Sequence, residues 1–208
     1  MKLEEFNYEL PERLIAQTPI EKRDESRLMV LNRNNGEIEH KHFYDLLEYL
    51  NKGDVLVLND TKVLPARLYA HKETGAAIEL VLINQVDMNH WKALVRPGKK
   101  ALPGTKLLFE SDRLTAEVEA VAEEGMRLIK FNFEGNFFEI LDEVGNMPLP
   151  PYIHEKLKDK DRYQPVYARE NGSAAAPTAG LHFTPELLAK IEAKGVKIAK
   201  VLLHVGLG

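Results

Sequence analysis

The chain has 208 residues, 44% of them hydrophobic, enough for one sizeable buried core or two smaller ones. Lysine and arginine total 28 against 32 aspartate and glutamate, a net charge of -4, which is no global nucleic-acid signature, so an RNA site must be a local patch. The absence of cysteine excludes disulfides, cysteine-ligated zinc, iron–sulfur clusters and thiol nucleophiles.

The start, Met1-Lys2-Leu3-Glu4-Glu5, lacks a secretory apolar region, and no apolar run reaches membrane-spanning length. A soluble cytoplasmic protein is the expectation. Pro11 is expected to open a short helix through Leu14 and Ile15. Residues 21–27 form a dense charged loop that reads as solvated surface. A hairpin is expected from 28–32 and 37–42, with Asn35-Gly36 as its turn. Residues 44–50 place Leu46, Leu47 and Leu50 on one helical face, and Gly53 ends that helix. Val55-Leu56-Val57-Leu58 reads as a buried strand. Asn59-Asp60-Thr61 follows directly. In α/β architectures ligands gather beyond strand carboxyl ends, so Asp60 could orient a hydroxyl or act as a base; it could equally close a turn.

From Ala66 the texture changes. Short β-rich runs at 67–71, 77–83, 91–95, 105–109, 114–121 and 127–133 alternate with turn signals, which predicts a small antiparallel barrel or sandwich. This β domain spans residues 66–135, inserted into an α/β domain formed by 1–65 and 136–208. Within it, Arg96, Lys99 and Lys100 form the densest basic cluster, with Lys92, Lys106 and Trp91 nearby. Such a cluster can hold a nucleic-acid backbone, or it is a solvated turn with Trp91 in the barrel core. Asn136 can cap a helix running to Val144, ended by Gly145. Prolines 148, 150 and 151 then force an extended segment, a strut or one wall of a cleft.

The stretch from Asn171 organises the rest. Between Gly172 and Gly180 nothing is larger than Pro177 or Thr178, so a ligand can approach the backbone amides. Thr184, Pro185 and Glu186 open a helix that Gly195 ends, and residues 196–205 read as a buried strand before the tail Gly206-Leu207-Gly208. A small-residue loop before a helix N-terminus can cradle an anion; it can also be a plain connection. His182 lies between that loop and the helix, and His204 ends the apolar strand. The seven histidines show no HExxH pair, and no GxSxG, Walker or GxGxxG motif is present.

RDESRL at 23–28, VLVLNDTKVLPARL at 55–68, LVRPGKK at 94–100, MPLPPYI at 147–153, RYQPVYA at 162–168, APTAGLHFT at 176–184 and LHVGLG at 203–208 together resemble the S-adenosylmethionine:tRNA ribosyltransferase-isomerase family of the queuosine pathway. The resemblance covers the chain end to end. It implies a larger α/β, barrel-like domain carrying an inserted antiparallel β-barrel. It also implies transfer and isomerisation of the ribosyl group of S-adenosylmethionine onto the aminomethyl group of a 7-deazaguanine base in tRNA, giving epoxyqueuosine, adenine and methionine. S-adenosylmethionine is then a co-substrate, and neither a metal nor a redox cofactor is needed. On this resemblance Asp60 and His182 are the catalytic candidates. Pro177, Thr178, Ala179, Gly180 and His204 would bind S-adenosylmethionine, and Arg96, Lys99, Lys100, Arg162 and Tyr163 would bind tRNA. The family chain continues past Gly208, so a truncated chain is expected, with a complete β domain and part of the larger one. A monomer is the expected state. The alternatives are a non-catalytic tRNA-binding fragment and an inert one.

Overall fold

The computed structural model describes residues 2–155 and 157–205. The chain enters through short 3-10 turns at Leu3–Phe6, Glu12–Leu14 and Arg23–Glu25. The helix expected after Pro11 is only the second of these, too short to repay α-helical nucleation. Strands β1 (Arg27–Leu31) and β2 (Ile38–His42) pair antiparallel around Gly36, whose φ of 75° suits the turn. Residues Phe43–Tyr49 wind as a 3-10 helix, entered through the His42 N–H donating to the Asp45 carboxylate at 2.9 Å. Leu46, Leu47 and Leu50 still share one packed face, as the spacing predicts.

Strand β3 (Val55–Asn59) and strand β4 (Thr61–Val63) are separated by Asp60 alone. The expectation of a fully buried β3 does not hold. Leu58 is buried, but Val55 and Val57 are 55% and 58% exposed. Alternate side chains face opposite ways, and a core lies beneath one face only.

The six β-rich runs become β5 (Arg67–His71), β6 (Ala77–Gln85), β7 (His90–Arg96), β8 (Lys106–Leu108), β9 (Leu114–Val121) and β10 (Arg127–Phe133). They close a six-stranded antiparallel barrel in the order β10-β7-β6-β5-β8-β9, so the molecule is a mixed α/β structure containing a closed β-barrel. Alternation fills the interior: Leu68, Ile78, Leu80, Leu82, Ile129 and Phe131 point inward. Trp91 joins this core, its ring 5.8 Å from Phe137. Helix α1 (Phe137–Val144), capped by Asn136 as the sequence indicates, lays Phe137, Ile140 and Leu141 into the same core. Gly145 is required by space rather than by φ. A Cβ there would lie 2.1 Å from the Pro65 carbonyl oxygen.

Strand β11 (Glu170–Ser173) pairs parallel with β4, so the small-residue stretch begins as strand, not loop. Helix α2 (Pro185–Ala193) is capped by the Thr184 hydroxyl accepting from Leu187 N at 3.1 Å, and Gly195 at φ 88° turns the chain out. Strand β12 (Lys197–Val201) pairs parallel with β3. The expected ten-residue buried strand is thus five residues long and half exposed. Lys197, Lys200 and Val201 are exposed, and Leu203 is 63% exposed. Pairing with β3 stops at Val201↔Asn59, because the Asn59 side-chain amide takes the Leu203 backbone instead (Nδ2 to Leu203 O 2.8 Å; Leu203 N to Oδ1 3.0 Å). The tail Gly206-Leu207-Gly208 lies outside the described residues.

Candidate functional site

The site is built around the handover between β3 and β4. β3 is paired with β12 and β4 with β11, so the chain changes neighbours at Asp60. The backbone of Asp60 joins both pairings. Its N–H donates to Val201 O at 3.1 Å, and its carbonyl accepts from Arg169 N at 2.8 Å and Glu170 N at 3.3 Å. A point where strand neighbours change is where a crevice opens beyond strand ends. The Tyr167 hydroxyl is pushed up to about 12, first by burial and then by the Asp60 charge. Tyr167 stays protonated and rests on Gly180, where an added Cβ would lie 2.4 Å from the hydroxyl oxygen. Gly180 is therefore small because Tyr167 occupies the space.

His182 ends the 3-10 turn Thr178–His182. Its Nδ1 is 3.0 Å from Ser26 Oγ, and that hydroxyl donates to Arg23 O at 2.9 Å. A hydroxyl has one proton, so Ser26 accepts from Nδ1–H, and Nε2 is the lone-pair nitrogen of the ring. Burial lowers the His182 pKa and the Arg162 charge lowers it further, against a smaller raising effect of the Arg23 carbonyl. Phe43 packs over the ring at 5.1 Å. A neutral imidazole with an available Nε2 can accept a proton or a hydrogen bond.

Arg23 ties this arrangement together. Nη1 donates to Gln164 O (2.9 Å) and Leu181 O (3.0 Å), and Nη2 donates to Asp161 O (2.7 Å). Gln164, 6% exposed, pairs with β4 like an extra peptide: Val63 N donates to Oε1 at 2.9 Å, and Nε2 donates to Val63 O at 2.6 Å. Arg162 is half-buried and donates to Ile20 O. Tyr163 is 9% exposed, and burial raises the pKa of its hydroxyl.

His204 lies past the end of β12. Its Nδ1 is 3.1 Å from the buried Thr61 hydroxyl, and its ring lies against Gly172, where a Cβ would come within 2.5 Å of Cε1. Gly172 at φ 143° is thus excluded from bearing a side chain by both conformation and space. Ser173, fully buried, accepts Val205 N at 2.8 Å and donates to Ala175 O at 2.8 Å. In the first turn of α2, Leu187 N and Leu188 N are already bonded to Thr184, and Pro185 has no N–H. That leaves Glu186 as the one donor in those four positions for an anion. Thr178 and Ala179 are exposed on the preceding turn, and Pro177 is half-buried.

Tyr167 therefore feels the Asp60 charge and fills the space at Gly180, His182 feels the Arg162 charge, and His204 is bonded to the residue after Asp60. Arg96, Lys99 and Lys100 stand apart on the barrel; among the described residues no hydrogen bond or ion pair joins them to this group. No set of three or more metal-ligating side chains is gathered among the described residues, and no helix there is long and apolar enough to cross a membrane. The sequence reading missed Arg23, Ser26, Gln164 and Tyr167. The contacts that matter for Arg23 are 138 to 158 residues away along the chain, which local pattern cannot reveal.

A family model described as "Queuosine biosynthesis protein" matches residues 3–208. The chain is 58% identical over 209 aligned residues to an S-adenosylmethionine:tRNA ribosyltransferase-isomerase of Acetivibrio thermocellus, and 59% identical to one of Clostridioides difficile. Each alignment covers 100% of this chain and 61% of the relative, so the chain spans about three fifths of their length. A solved S-adenosylmethionine tRNA ribosyltransferase from Thermotoga maritima is 42% identical, covering 97% of this chain and 58% of that one, with a TM-score of 0.40. With a family model matching from residue 3 through residue 208, the chain belongs to the queuosine biosynthesis protein family.

Proposed function

We propose that this chain carries the ribosyl-transfer centre of an S-adenosylmethionine:tRNA ribosyltransferase-isomerase acting in the cytoplasm. The observation that carries the reading is 58–59% identity, along the whole chain, to two relatives bearing that name. S-adenosylmethionine would supply the ribosyl group, and tRNA with a 7-aminomethyl-7-deazaguanine base would receive it. Adenine and methionine would leave. The sulfonium acidifies the neighbouring ribose carbon, and Asp60 takes that proton. Tyr167, kept protonated, donates to Asp60 or to a sugar hydroxyl. His182 serves as a neutral acceptor through Nε2, a role its surroundings favour over proton donation to adenine. The turn from Pro177 to Gly180, with His204, holds the nucleoside. Arg162 and Tyr163 border the substrate base, and Arg96, Lys99 and Lys100 steer the tRNA.

Residues 1–65 and 136–208 form the larger, barrel-like α/β domain in this reading, with 66–135 inserted. The support is that β3 pairs with β12 and β4 with β11, so segments from either side of the barrel pair with each other.

The test is adenine release from S-adenosylmethionine in the presence of that tRNA, for the wild-type chain and Asp60→Asn. Turnover is expected in the wild type, with a loss of about 100-fold or more in the variant, the usual weight of a general base. Retention within a few-fold removes Asp60 from the base role. A second reading, a tRNA-binding piece without turnover, is favoured by the 61% coverage of the relatives. Salt-dependent tRNA binding with no adenine release would select it.

A further inference from the structure

The outer face of β5, β6 and β7 carries a groove of about 570 Å3 that none of the residues around Asp60 or His182 lines. Strand register explains what is in it. Leu68 and Ala70 point into the barrel, so Tyr69 points out, 55% exposed. Tyr69 stands directly opposite Glu79, and Glu79 directly opposite Arg96. One cross-strand row therefore presents an aromatic face, a carboxylate and a guanidinium. Arg67 Nη1 sits 3.2 Å from Glu79 Oε1 and holds that carboxylate in place, and Pro97 forms a wall.

The rim beyond Arg96 is a prearranged cationic loop. Lys99 and Lys100 are exposed on it, and Lys72 donates to Lys100 O at 3.1 Å. Beneath it lies Arg127, 9% exposed. Its Nε donates to Ala101 O (2.9 Å), Nη2 to Gly98 O (3.0 Å), and Nη1 to Gly125 O (2.6 Å) and Met126 O (3.2 Å). Every one of these acceptors is a neutral carbonyl, and among the described residues no carboxylate forms an ion pair with Arg127. A buried positive charge is thus left without a counter-charge under a loop that already bears Arg96, Lys99 and Lys100. In a chain of net charge -4, that local concentration suits an anion from outside.

We propose that this groove seats one unpaired nucleotide of RNA, its base stacked on Tyr69 with an N–H edge toward Glu79 and its phosphate on the 97–101 loop. The proposal rests on the reading of tRNA as partner and adds a contact on the barrel away from the Asp60 centre. Charge and shape choose the occupant. An acidic peptide would satisfy the loop but would meet Glu79 in the groove, whereas a nucleobase presents a flat π-face to Tyr69 and donors to the carboxylate. Arg127 is a positioning residue here, since it holds the loop and does not touch the ligand.

The experiment is fluorescence anisotropy with a ten-nucleotide single-stranded RNA and the same backbone carrying abasic sites, over a salt series. The wild type is expected to bind the intact strand about ten-fold more tightly than the abasic one, the weight of one stacked base. Tyr69→Ala is expected to lose that preference, and Tyr69→Phe to keep it. Lys99→Ala with Lys100→Ala should weaken both strands and flatten the salt dependence. Equal binding of intact and abasic strands by the wild type overturns the seat, and so does a Tyr69→Ala variant that retains the preference. Thermal melting of Tyr69→Ala, an exposed position, controls for folding. The catalytic reading fails separately: wild-type protein that releases no adenine yet distinguishes the two strands loses its proposed chemistry and keeps the groove.

Discussion

Ser26 and His182 are far apart in sequence and meet through one hydrogen bond, so a small change at Ser26 should alter the chemistry of the imidazole. The Ser26 hydroxyl is committed to Arg23 O, which fixes the proton of His182 on Nδ1. Burial, with the Arg162 charge, depresses the His182 pKa. The sign follows from linkage. The folded pKa lies below the unfolded value of about 6.5, so the ring's contribution to stability is intact above that pH and is lost as pH falls toward the folded pKa. Nitrogen NMR of labelled histidine should therefore show a neutral, Nδ1-protonated His182 at pH 7, titrating below about 6.5. In Ser26→Ala the tautomer preference should weaken, and stability should drop by about 1–2 kcal/mol for the two lost hydrogen bonds. A ring that titrates at or above its ordinary value, or a tautomer indifferent to Ser26, would separate the two residues. The same bond shows why Ser26 was invisible in the sequence. Within RDESRL it sits among four charged neighbours and reads as solvated loop, and only the return of Leu181 and Gln164 to Arg23 brings His182 to it.

Hairpin β6–β7 carries a titration of opposite sign. His90 Nδ1 lies 2.8 Å from Asp87 Oδ1, and Nε2 lies 3.2 Å from Glu119 Oε2, with Lys130 3.8 Å from the other Glu119 oxygen. The bond to Asp87 is the main cause that raises the His90 pKa, and Glu119 adds to it. Here the stabilisation is fully present below about 6.5, the unfolded value, and is lost as pH rises through the folded pKa. Thermal melts are expected to show a midpoint that declines as pH is taken from about 6 upward through that range, and His90→Asn should flatten the decline. An unchanged pH profile in the variant would show that the carboxylates do not stabilise the charged ring. At this scale much was legible. Asn136 and Gly145 bracket α1, Thr184-Pro185 opens α2, and the alternation of buried apolar residues with more exposed ones marks the barrel strands. What could not be read was pairing. β3 and β12 are both apolar runs, but nothing local says that they are parallel neighbours, nor that Asn59 would end β12 by capturing Leu203. The 3-10 winding of 43–49 was also hidden, because the apolar face of Leu46, Leu47 and Leu50 suits either helix.

Across the whole molecule the buried apolar surface is unevenly shared. The barrel and α1 enclose one continuous core around Leu68, Leu80, Ile129, Phe131 and Ile140. The β3–β12 pair rests on a smaller cluster of Leu58, Phe183, Leu187, Ile191 and Val196, and leaves Val55, Val57, Leu202 and Leu203 largely in water. Apolar burial is the main stabilising term, so these two parts should not open together. Hydrogen exchange is expected to show the slowest amides in β5–β10 and α1, and markedly faster exchange in β3, β4, β11 and β12. Ligand linkage then separates the parts further. A nucleoside bound at Asp60, the Pro177–Gly180 turn and His204 spans β4, β11 and the segment after β12, so S-adenosylmethionine should slow exchange there and leave the barrel unchanged. Single-stranded RNA, if seated against Tyr69, should do the reverse, protecting β5–β7 first. Uniform exchange throughout the chain would mean that the smaller cluster is as firmly closed as the barrel. Protection of the barrel by S-adenosylmethionine alone would place the nucleoside on the wrong side of the molecule for the chemistry proposed at Asp60.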